Sequence, residues 1–248
     1  MKVVATYAIK GGVGKTSAAV NIAWLSANDR KRTLLVDLDP QSAATYLFRI
    51  KPKVKGGAKA LVRGKRGVMD AVKATDYDGL DLLPADFSFR NLDLVLDGEK
   101  KSTERLAELL SSIESEYDVV VLDCAPSISL VSENVIEAAD VLLVPLVPAT
   151  LSLRTYDQLV TFLGKLDHRP PAVLTFFSMV DRRRRLHREL VESLATERPE
   201  VGDVVVPAAS AVEQMAVRRQ PLVATDRSSE AATAYRQLWS RVTVLLQF

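Results

Sequence analysis

Seven short runs, "KVVATYAI", "RTLLVDL", "GLDLLPA", "YDVVVLDCA", "ADVLLVPLV", "PAVLTFFSMV" and "DVVVPA", limit what this chain can fold into. Each is apolar almost without interruption, where a half-exposed strand would alternate. Strands covered on both faces read this way. Helical patterns separate them. Leu106, Leu109, Leu110 and Ile113 share one face in 103–113, and Leu153, Tyr156, Leu159, Val160, Leu163 and Leu166 share one in 152–166. Tyr235, Leu238, Val242 and Leu245 do the same in 229–246. Strand alternating with helix predicts a doubly wound, mostly parallel α/β sheet flanked by helices. No repeat or linker divides it, so a single domain is expected over residues 1–248.

Composition excludes several function classes. At 48% hydrophobic and 26% charged, the 248 residues suit a soluble protein with one large core. The net charge is only +2, so strong binding to an anionic polymer must come from local patches. Cys124 is the one cysteine, which rules out an internal disulfide or a C-x-x-C pair and suits a reducing cytoplasm. Two histidines, His168 and His187, cannot build a multi-histidine metal site. The longest apolar runs fall far short of the roughly 18 residues that would span a bilayer. No signal peptide is expected, because a strand-like run leads straight into a glycine loop.

One stretch breaks the pattern. "RIKPKVKGGAKALVRGKRG" (49–67) holds eight Lys or Arg and no acid, with little apolar periodicity. It reads as an exposed, partly mobile insertion.

The chemistry starts at "YAIKGGVGKTSAAVNIA". A phosphate loop reads G-x-x-x-x-G-K-[ST], and its tail is present as Gly14, Lys15 and Thr16. The first glycine is replaced by Ile9, and Lys10 follows it. Gly11, Gly12 and Gly14 let backbone N–H groups converge on an anion without Cβ obstruction. The helix that starts near Lys15 adds its positive N-terminal end. Lys15 is placed to reach the β and γ phosphates of a nucleotide, and the Thr16 hydroxyl to bind Mg²⁺. Two ammonium groups five residues apart on one tight loop repel unless a polyanion lies between them. Lys10 is therefore either a solvated surface lysine or a ligand for phosphates, its own or those of a second subunit.

Two further strands end in acid. "LLVDLDPQ" (34–41) carries Asp37 and Asp39, an i, i+2 pair expected on one face at the carboxyl edge of a parallel sheet. "VVVLDCAPS" (119–127) ends its apolar run in Asp123. The plain alternative for Asp39 is a turn aspartate before Pro40.

"KGGVGKT" resembles the deviant Walker A motif of the ParA/MinD family of ATPases, and "DLDPQ" resembles that family's first switch. The resemblance runs over nearly the whole chain and is most specific up to about residue 150. It implies an ATP-binding, Mg²⁺-dependent ATP hydrolase whose phosphate-binding set is Lys10, Gly11, Gly12, Val13, Gly14, Lys15, Thr16 and Ser17. Lys10 is the signature lysine that crosses the interface of an ATP-bound sandwich homodimer. Asp39 positions the attacking water, Asp37 lies in the Mg²⁺ shell, and Asp123 is the Walker B carboxylate. With Thr16, these two aspartates make the implied metal set. The family usually shows D-x-P-P after that strand, where this chain has Asp-Cys-Ala-Pro. Cys124 is most simply a small buried apolar residue.

"FFSMVDRR" (176–183) and "VVPAASAVEQMAVRRQPL" (205–222) resemble the family's base-binding segments, which implies adenine contacts near Met179 and Pro207. The usual arginine after that proline is Ala208 here. "DRRRRLHREL" crowds Arg182, Arg183, Arg184, Arg185 and Arg188 at a helix start, against the helix dipole. Together with Arg218 and Arg219 they are either a positive surface for sequence-independent contact with DNA phosphates, as the resemblance implies, or a plain solvated face.

The function so implied is that of a short ParA. An ATP dimer binds DNA non-specifically, a ParB-type protein or a cargo adaptor stimulates hydrolysis, and the cycle positions a plasmid, chromosome or protein cargo. Such a protein is cytoplasmic and nucleoid-associated when ATP-bound. Two alternatives are a membrane-associated MinD-like factor and a nucleotide-dependent scaffold without turnover. The first needs a basic amphipathic C-terminal helix, but "YRQLWSRVTVLLQF" has only Arg236 and Arg241, so no stable membrane anchor is expected.

Overall fold

Apolar residues fill both faces of the central strands, and this sets the layering. The structure is a computed structural model that describes residues 1–64, 67–166, 168–198 and 200–248. Lys65 and Arg66 of the basic stretch lie outside the described residues. The described strands are β1 (Lys2–Thr6), β2 (Thr33–Asp37), β3 (Lys73–Ala74), β4 (Leu80–Leu83), β5 (Val119–Asp123), β6 (Val141–Leu146), β7 (Ala172–Val180) and β8 (Val205–Pro207). They form one sheet in the order β3-β4-β2-β5-β1-β6-β7-β8. All pairs are parallel except β3 on β4. The architecture is therefore the doubly wound, mostly parallel α/β sheet expected from the sequence.

β2, β5 and β6 are buried at every position. Their side chains alternate between two cores, as the two-residue period of a strand requires. Val3, Ala5, Val36 and Leu122 face one layer. Val4, Leu35, Val121 and Leu143 face the other.

The helices are α1 (Lys15–Asn28), α2 (Ala43–Leu47), α3 (Gly57–Val62), α4 (Leu92–Asp97), α5 (Arg105–Ser111) and α6 (Leu130–Ala138). They continue with α7 (Thr150–Leu163), α8 (Arg185–Glu197), α9 (Ser210–Arg218), α10 (Leu222–Thr225) and α11 (Glu230–Leu246). α3 to α8 supply the first layer, and α1, α2 and α9 to α11 the second. α1 lacks an apolar stripe because it is enclosed between the sheet and α11. Ala18, Ala19, Ile22 and Ala23 are all fully buried. Asn21 ties it in place: its Nδ2 donates to the Ser17 carbonyl (2.7 Å), and its Oδ1 accepts from Val223 N–H (3.0 Å). At the far end of α1, Trp239 Nε1 donates to Asp29 Oδ2 (2.6 Å).

The 49–67 stretch is more integrated than the sequence suggests. Lys51, Lys53, Lys55 and Lys59 are exposed, but Val54, Ala58, Leu61 and Val62 join the first core, as does Val68 beyond it. Val54 N–H donates to Asp86 Oδ2 (2.9 Å) and Ala58 N–H to Ser88 Oγ (2.8 Å). The glycines and lysines around these four residues mask the apolar period of a helix only six residues long.

β1 lies between β5 and β6, where the winding of the sheet reverses. In open α/β sheets the carboxyl ends of the strands at such a point leave a crevice for ligands.

Candidate active site

The loop from β1 to α1 fills that crevice. Gly12 and Gly14 take φ +68° and +95°, a left-handed region that glycine enters without steric cost. At Gly14 space is also short: a Cβ there would lie 2.7 Å from Ser178 Oγ on β7. Val13 is buried under the loop, while Lys10, Gly11 and Gly12 are exposed. Lys15 is only 6% exposed and folds back over the loop, donating from Nζ to the Lys10 carbonyl (3.2 Å). Burial lowers its pKa, and the nearby Asp123, Cys124 and Asp39 oppose that shift. The ammonium thus sits inside the cradle rather than in solvent. The side chain of Lys10 has no ion pair among the described residues and lies on the open rim.

Three polar residues end adjacent strands in register. Thr6 pairs with Asp123, and Asp123 with Asp37. Both aspartates are fully buried. Asp37 is well held: Oδ2 accepts from Thr45 N–H (2.8 Å) and Thr45 Oγ1 (2.6 Å), and Oδ1 accepts from Asp39 N–H (3.2 Å). Burial still raises its pKa to about 6. Asp123 is held less well. Its Oδ1 accepts a long bond from Thr6 Oγ1 (3.4 Å), and its Oδ2 has no hydrogen-bond partner among the described residues. Burial, and then the charge of Asp37, push its pKa to about 8, while Thr16 and Lys15 pull it down.

A buried carboxylate oxygen without a donor, beside a hydroxyl and under a phosphate cradle, fits a divalent cation. No group of three or more His, Cys, Asp or Glu forms a metal cage among the described residues. That suits Mg²⁺, which is commonly held by one or two carboxylates with phosphates and water supplying the remaining ligands.

Asp39 lies beyond the end of β2, where the pleat has stopped, so the i, i+2 alternation does not reach it. It is half-buried, and its Oδ1 caps Gln41 N–H (2.8 Å). The turn role is therefore real, and it leaves Asp39 at the mouth of the crevice. The loop after β5 closes the other side. Tyr7 Oη donates to the Ser127 carbonyl (2.8 Å), and Pro126 packs against Gly11. Cys124 is buried, with its thiol pushed well above its ordinary pKa by burial, and behaves as the small apolar residue expected.

The comparisons with known proteins agree with this geometry. A family profile described as an AAA domain matches residues 1–175. The sporulation initiation inhibitor protein Soj of Bacillus subtilis is 28% identical, over 97% of this chain and 98% of its own. The chromosome partitioning protein ParA of Caulobacter vibrioides is 29% identical, over 96% and 92%. The chain is an AAA-domain protein of the ParA/MinD family of P-loop ATPases. A solved structure of cobyrinic acid a,c-diamide synthase from Mycobacterium smegmatis shares the fold, with TM-score 0.81 and 24% identity over 98% of this chain and 94% of that one. That protein holds ADP and magnesium.

The two segments in which adenine contacts are expected run along β7 and β8 of the same sheet. β7 kinks between Phe177 and Val180, and Met179 takes φ +56° and turns 46% of its surface outward. Pro207 pairs with Val180. Ser178 lies beside Gly14, so β7 borders the phosphate loop there, with Met179 the next residue and Pro207 one strand further out.

The arginines come from two stretches of chain, 182–188 and 218–219, and most have a partner. Arg182 pairs with Glu230 (2.6 Å), Arg183 with Asp181 (2.9 Å) and Arg185 with Glu189 (2.5 Å). Arg188 donates to the Arg182 carbonyl (2.6 Å). Arg184 precedes α8 and is exposed. Arg219 instead stacks on Tyr46 (4.3 Å), donates to its carbonyl (2.8 Å), and Arg49 donates to the Arg218 carbonyl (3.2 Å). No hydrogen bond or ion pair joins the two groups among the described residues.

Thr6, Thr45 and Ser178 support the site and carry no motif. The available signal was a hydroxyl residue at the end of, or beside, an otherwise apolar strand.

Proposed function

We propose that this chain is an ATP-hydrolysing dimer switch of the partition and positioning type. ATP binds with its phosphates in the loop of residues 10–17, against Lys15 and the N-terminus of α1. Thr16 and Asp123 hold Mg²⁺, with Asp37 behind them, and the cation offsets charge on the β and γ phosphates. Asp39 orients the attacking water at the crevice mouth. Positioning and charge stabilisation are what such a phosphoryl transfer asks of a protein. Lys10 reaches the phosphates of a second copy, so the site is complete only in the homodimer. The adenine lies toward Met179 and Pro207.

The observation that carries this reading is the pairing of Asp123 Oδ2, buried without a donor, with Lys10, exposed on the loop rim and without an ion pair. One side chain lacks a cation and the other lacks an anion, as expected of a site completed by Mg²⁺, nucleotide and a second subunit.

The dimer binds DNA non-specifically through one or both arginine groups, associates with the nucleoid, and is released when a ParB-type partner or cargo adaptor stimulates hydrolysis. The MinD-like alternative finds less support, because α11 packs Tyr235, Leu238, Trp239 and Val242 into the core. No helix among the described residues is long and apolar enough to cross a membrane. The test is DNA binding across a salt series with ATP, with ADP and without nucleotide. Binding that needs ATP, falls with salt, is lost in Lys10→Ala and persists in Asp39→Ala supports the switch. Binding that ignores nucleotide contradicts it.

A further inference from the structure

A second basic cavity lies at the β3 edge of the sheet, four strand positions or about 19 Å from β1 and the phosphate loop. Its volume is about 690 Å³, and Lys51, Lys53, Lys55 and Lys73 line it, with Asp70 as the acid among its lining residues. The local positive excess is larger than the +2 net charge of the whole chain. Neighbouring arginines are neutralised: Arg49 pairs with Asp76 (3.0 Å) and Arg63 with Glu99 (2.6 Å). Among the described residues, none of the four lysines forms an ion pair.

The floor is apolar and fixed in place. Val54 and Leu61 are buried there, beside Ile50 and Ala71. The hydrogen bonds from Val54 to Asp86 and from Ala58 to Ser88 anchor the segment that carries the lysines. Gly57 at φ +63° lets it lie close, since a Cβ there would meet Ser88 Oγ at 2.6 Å. The segment that carries Lys53 and Lys55 is therefore held in place by contacts of its own.

We propose that this cavity is a second anion site, separate from the phosphate loop, that binds a nucleoside polyphosphate. Its size lies within the roughly 300–1,000 Å³ of small-molecule sites. Ammonium groups are compact point charges suited to phosphate oxygens. Four of them exceed what a single phosphate group can use, and the apolar floor receives the ring system. This proposal does not rest on the dimer switch.

The test uses ADP, inorganic pyrophosphate and a short DNA duplex as probes, with the full chain. In Lys15→Ala, which disables the phosphate loop, calorimetry is expected to show one saturable equivalent of ADP that pyrophosphate displaces. Adding Lys51→Glu, Lys53→Glu and Lys73→Glu is expected to weaken that binding at least tenfold. These lysines are exposed, so thermal melts should match the parent. The same three reversals with Lys15 intact should leave one equivalent of ADP at the phosphate loop, which keeps the two sites distinguishable. Three results overturn the proposal: no saturable ADP binding in Lys15→Ala, unchanged binding after the reversals, or reversals that remove duplex binding alone. The last would make this a DNA-contacting face.

Discussion

Replacing Asp123 with Asn tests the electrostatics of the site in numbers. In the unfolded chain an aspartate titrates near about 3.9. In the native protein burial and Asp37 push Asp123 to about 8. Between those values the native state keeps a proton that the unfolded chain has released, so rising pH favours unfolding. The slope from one such group is up to about 1.4 kcal/mol per pH unit. Below about pH 4 both states hold the proton, and above about pH 8 both have lost it, so the slope vanishes outside that window. From pH 5.5 to 7.5 the group alone removes up to about 3 kcal/mol, or about 5–10 °C of melting temperature in a chain of this size. Asn cannot titrate, and Asp37 titrates in both proteins and cancels to first order. Melts of wild type and Asp123→Asn, without nucleotide and with a chelator, are therefore expected to diverge by that amount as pH rises, with the variant the more stable. ADP with Mg²⁺ should flatten the wild-type slope, because a cation favours the ionised carboxylate. Parallel pH profiles, differing by a constant offset, would refute the burial and isolation assigned to Asp123.

Other substitutions probe the supports of the site. Gly14→Ala places a side chain at φ +95° and against Ser178, and should lower stability by about 1–2 kcal/mol while abolishing ATP binding in calorimetry. Thr45→Val keeps the shape but removes the hydroxyl that donates to Asp37 and accepts from Ala85 N–H (2.9 Å), for an expected loss of about 2–4 kcal/mol by urea denaturation. Gly202→Ala would set a Cβ 2.1 Å from the Thr175 carbonyl oxygen. It should destabilise by about 3 kcal/mol or more in the same assay.

Much of this molecule is legible in its residues, for definite reasons. All seven apolar runs are strands of one sheet, because burial on both faces leaves an unmistakable continuous pattern. β3 leaves no such trace: two exposed residues, Lys73 and Ala74, carry no period and become a strand only by pairing with β4. α3 is hidden for a related reason: its three buried residues, Ala58, Leu61 and Val62, sit in a stretch dominated by glycine, lysine and arginine. At the site, the glycines and Lys15 stand out because a phosphate loop prescribes residue types at fixed spacings, and Asp123 because an acid ends an otherwise apolar strand. The hold of Thr45 on Asp37, and the pairing of Arg182 with Glu230, depend on contacts between segments that spacing does not encode.

The central claim is that Lys10 completes the site of a second copy. The direct measurement is the molar mass in solution of Asp39→Ala, chosen to hold ATP unhydrolysed, by light scattering with ATP and Mg²⁺. The account predicts twice the 27.2 kDa of one chain with ATP, a single chain with ADP, and a single chain with ATP once Lys10→Ala is added. A dimer that survives Lys10→Ala, or a protein that stays at 27.2 kDa with ATP, would contradict it.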